Sequence, residues 1–233
     1  MTAPRAWQVV LDAVERDLLD GRLSPGDHLP PERTLAADLG VGRSSVREAL
    51  RVLEVLGLIR TAVGSGPSAG AIIVARPGGG MSALMRLQVA AQGFAVADVV
   101  KTRLVLEGSI VTDLATGDSP DLASSVQILT AMEGQPLTEA EFLALDAAFH
   151  LSLAEASGNQ VVTATMAGLR SAIEGYARAG AAGLPSWPAT SARLMLEHRG
   201  ILAAILAGEA DAARLAMHTH ISGYYAETHL RDH

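Results

Sequence analysis

Residues 26–59 read GDHLPPERTLAADLGVGRSSVREALRVLEVLGLI, and the signals for two short helices joined by a tight turn lie within them. Glycines at 40 and 57 are typical helix ends, because glycine accepts the left-handed conformation that closes a helix. Apolar residues recur at helical spacing in the second half of the stretch: Val46, Ala49, Leu50 and Leu53. The pattern predicts helices over 32–39 and 43–56, separated by the turn Gly40–Gly42.

The residues on either side complete a small domain. Apolar spacing predicts a first helix over 7–19. Two β-prone segments, 58–62 and 71–75, flank a glycine-rich stretch and predict a β-hairpin. Three helices followed by a hairpin is the layout of a winged helix-turn-helix, in which the second helix of the turn enters the DNA major groove. We therefore expect residues 1–76 to form a DNA-binding domain.

The predicted groove-binding helix has a polar face suited to DNA. Arg43, Arg47 and Arg51 are four residues apart and form one stripe, while Ser44 and Ser45 occupy the first turn. Arginine binds guanine edges or phosphates, and serine hydroxyls bind either phosphate or base. The alternative is an ordinary solvated face paired with nearby glutamates. The preceding turn and the following hairpin favour the DNA-binding interpretation.

Composition narrows the class of protein. The net charge of −7 lies entirely beyond residue 76, since residues 1–76 hold nine arginines and nine acidic residues. A locally basic face is therefore compatible with the acidic chain. The content of 49% hydrophobic and 3% aromatic residues favours packed helices. The absence of cysteine excludes disulfides, thiolate metal sites and cysteine nucleophiles.

The rest of the chain predicts an all-helical domain, so the fold class is mostly α. Residues 77–80 resemble a linker, and 81–233 are expected to form an antiparallel bundle. Seven helices are predicted, over 81–92, 96–116, 120–133, 138–157, 159–180, 189–207 and 209–230. No run approaches the roughly 18 apolar residues of a membrane span, and the N-terminus lacks a signal-peptide pattern. We expect a cytoplasmic protein without membrane contact.

Four polar residues of this domain are candidate metal ligands. Asp146 and His150 are spaced i, i+4 and share one helix face, while His198 and His220 lie on two further helices. Three imidazoles and a carboxylate can hold Zn²⁺, Ni²⁺ or Mn²⁺ inside a bundle. Spacing alone favours the plainer interpretation, in which these are ordinary core or surface histidines.

The stretch 26–59 resembles the N-terminal domain of GntR-type transcription regulators. The resemblance implies operator binding, with contacts from Arg33, Arg43, Ser44, Ser45 and Arg47. It also implies a wing glycine in the minor groove, and the sequence leaves open whether this is Gly64, Gly66 or Gly70. Pro31 departs from the family pattern, because it removes a side chain that would cap the next helix.

LDAAFHLSLAEASGN at 145–159 and EHRGILAAILAGEADAARLAMHTHI at 197–221 are similar to the helical FCD effector domain of the FadR subfamily. This resemblance implies the metal ligands Asp146, His150, His198 and His220. His218 lies two residues off that register and is expected to face elsewhere. Arg103 matches a family arginine of the effector cavity, where it would pair with a carboxylate; the alternative is a salt bridge to Glu107.

Together the two resemblances imply a ligand-responsive regulator, expected to be a repressor. It would bind a palindromic operator as a homodimer and sense a small carboxylate at the metal site. One alternative is a metal-dependent helical-bundle enzyme, but no Glu-x-x-His pair or activated serine suggests one, and an enzyme leaves the first domain unexplained. The others are a regulator that senses acyl-CoA and a metal with a structural role only.

Overall fold

The computed structural model describes residues 5–62, 70–74, 79–91, 94–134 and 136–228. It divides into two compact units, Met1–Met81 and Ser82–His233, each with its own apolar core. The predicted fold class is confirmed, since the described part of the chain is mainly helical with one two-stranded antiparallel sheet.

The first unit contains three helices and a β-hairpin among its described residues. These elements are α1 (Ala6–Leu19), α2 (Glu32–Asp38), α3 (Arg43–Val55), β1 (Ile59–Ala62) and β2 (Gly70–Ile73). α1 packs on α3, and the apolar stripe of α3 is buried in the core beneath it. Because this stripe anchors α3, the opposite face, with its arginines, is left in solvent. The hairpin tip, with Gly64 and Gly66, lies outside the described residues.

A third backbone segment, which the sequence did not predict, pairs with the β1–β2 hairpin that forms the wing. The Leu29 N–H donates to the Ala71 carbonyl at 2.8 Å, and the Ile73 N–H donates to the Asp27 carbonyl at 2.9 Å. A bridge between His28 and Ile72 lies between these two bonds. Backbone atoms just before α2 therefore extend the wing sheet.

A side chain also joins the wing to α3. The Glu54 carboxylate accepts hydrogen bonds from the Thr61 backbone N–H at 3.0 Å and from the Thr61 hydroxyl at 2.5 Å. Glu54 lies near the end of α3 and Thr61 on β1. The wing is thus fixed to the predicted groove-binding helix at this point.

The second unit, from Ser82, contains the remaining helices of the described chain, the first of which begins in the first unit. These are α4 (Gly79–Ala90), α5 (Val96–Thr116), α6 (Ala123–Glu133), α7 (Glu139–Ala156), α8 (Gln160–Ala181), α9 (Trp187–Leu206) and α10 (Ala210–Glu227). α10 packs against α5 and α9, and α7 packs against α6 and α8. Aliphatic and aromatic residues from α5 to α10 form one continuous core.

Several predicted helix ends differ from the observed ones by a few residues. α4 begins at Gly79 rather than at 81, so two residues expected in the linker are helical, while 77 and 78 lie outside the described residues. A Cβ on Gly80 would clash with the backbone of Leu56 in the same unit, so this position requires a glycine. α6 begins at Ala123 rather than at 120, because the Asp121 carboxylate accepts the Ala123 N–H at 3.1 Å and holds the preceding residues in a turn.

The search for membrane spans covered the described residues. None of their helices combines the length and the apolarity that crossing a bilayer requires.

Leu153→Ala tests the core of the second unit. Leu153 lies on α7 and is 1% exposed, so its truncation should lower the free energy of unfolding by about 2–5 kcal/mol. Leu196→Ala on α9 is the matched control, since Leu196 is 72% exposed and should cost less than about 0.5 kcal/mol. Urea unfolding followed by circular dichroism measures both. Equal midpoints for the two variants would contradict this core.

Candidate functional site

The structure places the predicted DNA-contacting side chains on α2 and at the start of α3. Arg33, Arg43, Ser44 and Arg47 are exposed, and Ser45 is half-buried. Gly42 precedes α3 in extended conformation and offers no side chain to cap it, so the first turn of α3 is uncovered. Backbone N–H groups and side chains of this turn are open to an incoming phosphate or base edge.

Arg47 has an ion-pair partner on the neighbouring helix. Its Nε lies 2.8 Å from Glu32 Oε2, and the two side chains are 59% and 40% exposed. The sequence suggested glutamates of α3 as partners of its arginines; Glu54 instead contacts Thr61. An exposed pair of this kind contributes at most about 1 kcal/mol. Glu32 therefore orients Arg47, and breaking this ion pair would cost little free energy.

The four predicted metal ligands converge in the core of the second unit. Asp146 and His150 come from α7, His198 from α9 and His220 from α10. All four are buried, and one ligand atom from each lies within 4.8 Å of the others. His198 Nε2 is 3.1 Å from Asp146 Oδ1. His218 is exposed, as its register predicted.

Two carboxylates fix the orientation of two of the imidazoles. His150 Nδ1 contacts Glu107 Oε2, and His220 Nδ1 lies 2.9 Å from Glu197 Oε2. An ionised carboxylate only accepts hydrogen bonds, so each Nδ1 carries the proton and donates. Each Nε2 is left with its lone pair directed into the cluster.

This arrangement fits a divalent metal ion. His150 Nε2 and His220 Nε2 lie 3.1 Å apart, each without a proton of its own. Nδ1 of the buried His198 has no hydrogen-bond partner among the described residues, while its Nε2 faces Asp146 Oδ1. Metal–nitrogen bonds of about 2.1 Å at right angles would place two ligand atoms about 3.0 Å apart. Three imidazole nitrogens and one carboxylate oxygen suit Zn²⁺, Ni²⁺ or Mn²⁺.

The charge states at neutral pH also suit a metal. Burial, together with the nearby His198, lowers the pKa of His220 from 6.5 to about 4. Burial alone would raise the pKa of Asp146, but the surrounding imidazoles outweigh it and hold this pKa below its usual range. The ligands are therefore a neutral imidazole at His220 and a carboxylate at Asp146, which are the forms that bind a cation.

Arg103 lies beside this cluster and has two roles at once. Its Nε donates to Glu107 Oε1 at 2.6 Å, and its Nη1 donates to the Tyr176 hydroxyl at 2.8 Å. Burial alone would raise the pKa of Glu107, but Arg103 and His150 outweigh it and lower the pKa to about 2. Nη2 of Arg103 is buried without a partner among the described residues.

A small cavity separates Arg103 from the cluster. Its walls include Arg103, Asp146, Tyr176 and His220, with apolar residues of α7, α9 and α10. Its volume of about 20 Å³ is room for about one water molecule. The salt bridge to Glu107 and the cavity-facing position, which the sequence posed as alternatives for Arg103, are therefore both present.

Sequence reasoning missed the roles of Glu197 and Tyr176. The available signal for Glu197 was its spacing, because Arg193 and Glu197 repeat the Arg-x-x-x-Glu pattern of Arg103 and Glu107. Tyr176 gave no signal, since it meets Arg103 across 73 residues of chain.

Comparison with known proteins assigns both units. Residues 7–67 match the family described as "Bacterial regulatory proteins, gntR family", and residues 98–223 match the FCD domain. The chain belongs to the GntR family. The resemblances noted for the helix-turn-helix and for the FCD domain are thereby confirmed.

The relatives are transcription regulators. The Glc operon transcriptional activator of Escherichia coli strain K12 is 30% identical over 220 residues, spanning 92% of this chain and 85% of that protein. The transcriptional repressor NanR of Citrobacter rodentium is 30% identical over 236 residues, 95% of this chain and 85% of its own. A Streptococcus agalactiae GntR structure superposes with a TM-score of 0.59 at 26% identity, covering 94% of this chain and 98% of that one. The family is one of regulators, so the enzyme alternative is rejected.

His220→Gln tests whether the facing Nε2 atoms of His150 and His220 repel one another in the metal-free protein and bind a metal ion. A glutamine amide can donate to His150 Nε2, so the metal-free variant should be at least as stable as the unsubstituted chain, with a gain on the order of 1 kcal/mol. Zn²⁺ should raise the melting temperature of the unsubstituted protein but not of this variant. Calorimetry with chelator and with Zn²⁺ measures both effects.

His218→Gln is the control, because His218 is exposed two residues away on the same helix. It should keep the full response to Zn²⁺. If His218→Gln lost this response and His220→Gln kept it, the ligand assignment on α10 would be wrong.

Proposed function

We propose that the protein is a cytoplasmic, ligand-responsive repressor that binds a short palindromic operator as a homodimer. A small carboxylate, held at a divalent metal in the FCD domain, would control its affinity for the operator. The observation that carries this proposal is the buried Asp–His₃ cluster beside an arginine whose Nη2 has no partner in the described part of the chain.

The exposed side chains of α2 and of the start of α3 support operator binding through Arg33, Arg43, Ser44 and Arg47, with the half-buried Ser45 beside them. A single copy of this helix reads one half-site, and a two-fold pair of heads reads two equivalent half-sites. Operator symmetry therefore follows from dimerisation. Repression is the simplest outcome when a bound dimer overlaps a promoter, and the related NanR proteins are named repressors.

A divalent ion at this site would be held by Asp146, His150, His198 and His220. When bound, it supplies positive charge and coordination positions for a ligand oxygen. Glu107 and Glu197 keep two of the imidazoles in the tautomer that such an ion needs. The protein thus holds a preformed set of donors, two of which, Asp146 and His220, line the cavity.

Arg103, which lines the same cavity, would recognise a carboxylate. Its guanidinium is kept charged by Glu107, while Nη2, which has no partner among the residues that the structure describes, would donate to a ligand oxygen. One relative is named a putative L-lactate dehydrogenase operon regulatory protein, which connects a similar chain to a 2-hydroxycarboxylate. Such a compound presents oxygens both to a metal and to an arginine.

The size of the cavity makes binding a conformational event. A volume of about 20 Å³ admits about one water molecule and no carbon skeleton. The lining helices must therefore shift when a carboxylate enters, which gives the ligand two protein states between which to discriminate. An acyl-CoA sensor would need a long apolar chamber, whereas the walls of this cavity carry the polar side chains Arg103, Asp146 and His220.

Arg47→Ala and Arg43→Ala test the DNA interface. Each should weaken binding to an operator selected from random duplexes by about 1–3 kcal/mol if the arginine makes a bidentate base contact. Fluorescence anisotropy at one fixed salt concentration gives the affinities, and the stoichiometry should be two chains per duplex.

Arg22→Ala is the matched control. Arg22 lies in the same unit and is 55% exposed, close to the 59% of Arg47, but it pairs with Asp17 and Asp20 beyond the end of α1. It should leave operator affinity unchanged. Equal losses of operator affinity in all three variants would indicate a general effect of positive charge. The assignment of α3 as the DNA-contacting helix would then be wrong.

The sensor role is tested with Zn²⁺-loaded protein and a panel of small mono- and dicarboxylates. A true effector should raise the melting temperature and change operator affinity about 5- to 150-fold. The neutral amide of the same acid is the control ligand and should do neither. A compound that stabilises the protein but leaves operator affinity unchanged would make the site structural.

Arg103→Lys tests the carboxylate partner. Lysine keeps the charge beside the buried Glu107 but loses the planar fork, so the variant should fold and bind the effector more weakly. Equal stabilisation of Arg103→Lys and the unsubstituted protein would rule out the arginine contact.

A further inference from the structure

Two of the cluster histidines are each supported by an arginine–glutamate pair with i, i+4 spacing. The inner pair is Arg103–Glu107 on α5, behind His150, and the outer pair is Arg193–Glu197 on α9, behind His220. The inner pair is buried, with side chains 7% and 1% exposed, and it borders the cavity. The outer pair is 36% and 21% exposed, and its arginine, Arg193, has no place in the proposed function.

The outer pair continues into a longer chain of charges. Arg193 Nη1 donates to Glu197 Oε1 at 2.5 Å, and Arg193 Nη2 donates to Glu227 Oε2 at 2.5 Å. The second oxygen of Glu227 accepts the Thr190 hydroxyl at 3.0 Å. Thr190 lies in the first turn of α9, and Glu227 is the last residue of α10. The network therefore runs from a cluster histidine to the ends of two helices.

The planar guanidinium of Arg193 explains why this network can keep its carboxylates in fixed positions. Arg193 contacts two carboxylates through two different nitrogens, so its position fixes both at once. Without it, the partly exposed Glu197 would be free to turn to solvent, and His220 Nδ1 would lose the acceptor that sets its tautomer. A partly exposed pair contributes little stability by itself, so orientation is the larger consequence.

We propose that Arg193 is a positioning residue for His220 and that, through Glu227, it couples metal occupancy to the last turn of α10. This inference rests on the metal site of the proposed function. An ion bound at His220 Nε2 favours one orientation of the ring, and that orientation keeps Nδ1 on Glu197. The chain of contacts then keeps Glu227 in place, so metal binding orders the end of α10.

The chain offers a closely matched control. Arg170–Glu174 on α8 is another i, i+4 pair, 39% and 26% exposed, with an Nε–Oε1 distance of 2.8 Å. No contact between this pair and the cluster occurs among the described residues. Arg170→Met and Arg193→Met each remove an i, i+4 arginine–glutamate pair of similar exposure. Only Arg193→Met removes a pair that is connected to the cluster.

The experiment uses full-length Arg193→Met, Arg170→Met and Arg193→Lys proteins. Zn²⁺ affinity is measured by competition with a chromophoric chelator, and hydrogen exchange is measured at the amides of residues 221–228 with and without Zn²⁺. Arg193→Met should lose about 10- to 100-fold in affinity, Arg170→Met should match the unsubstituted protein, and Arg193→Lys should recover part of the loss. Zn²⁺ should slow exchange at the end of α10 except in Arg193→Met.

The outcomes separate this inference from the proposed function. If the unsubstituted protein binds no Zn²⁺, Ni²⁺ or Mn²⁺, the metal site itself fails. If it binds Zn²⁺ and Arg193→Met is indistinguishable from Arg170→Met, only the positioning role is overturned. Circular dichroism checks that Arg193→Met folds; where it does not, Glu227→Gln replaces it and is judged by the same two measurements.

Discussion

His150 Nε2 and His220 Nε2 face one another across 3.1 Å in the core of the second unit, and the proton of each ring is held on its far side by a glutamate. Two lone pairs at that distance repel unless a cation or a proton lies between them. The helices α7, α9 and α10 meet at this point, so their packing maintains an arrangement that is unfavourable without a cation or a proton between the two nitrogens. Such a local conflict within an otherwise consistent core is typical of functional sites.

Each glutamate that holds a ring is itself held by an arginine. These ion pairs connect the cluster to more distant parts of the helical unit. Inward, Glu107 connects His150 to Arg103 and the cavity. Outward, Glu197 connects His220 to Arg193 and the surface. The site is therefore a short row of polar side chains through the helical unit, in which an arginine orients a glutamate and the glutamate orients a histidine on each side.

The sequence predicted this protein well where the signals are local. Helix spacing located α3 and its buried stripe, and the resemblance of two helical segments brought Asp146, His150, His198 and His220 forward as one set. It failed where a contact joins distant segments: the hydrogen bond between Arg103 and Tyr176 leaves no periodic trace. The backbone bonds at Leu29 were also missed, because a proline-rich approach to a helix carries no strand pattern.

Those backbone bonds bear on how the first unit meets DNA. The segment leading into α2 shares its hydrogen bonds with β2, and Glu54 fastens the end of α3 to β1. α3 and the described part of the hairpin are thus held at a fixed separation, and in the proposed operator complex both would lie against the DNA. Sequences whose groove spacing differs from that separation must twist or bend to match it. The stiffness of DNA between the contacted positions therefore becomes a source of specificity in its own right.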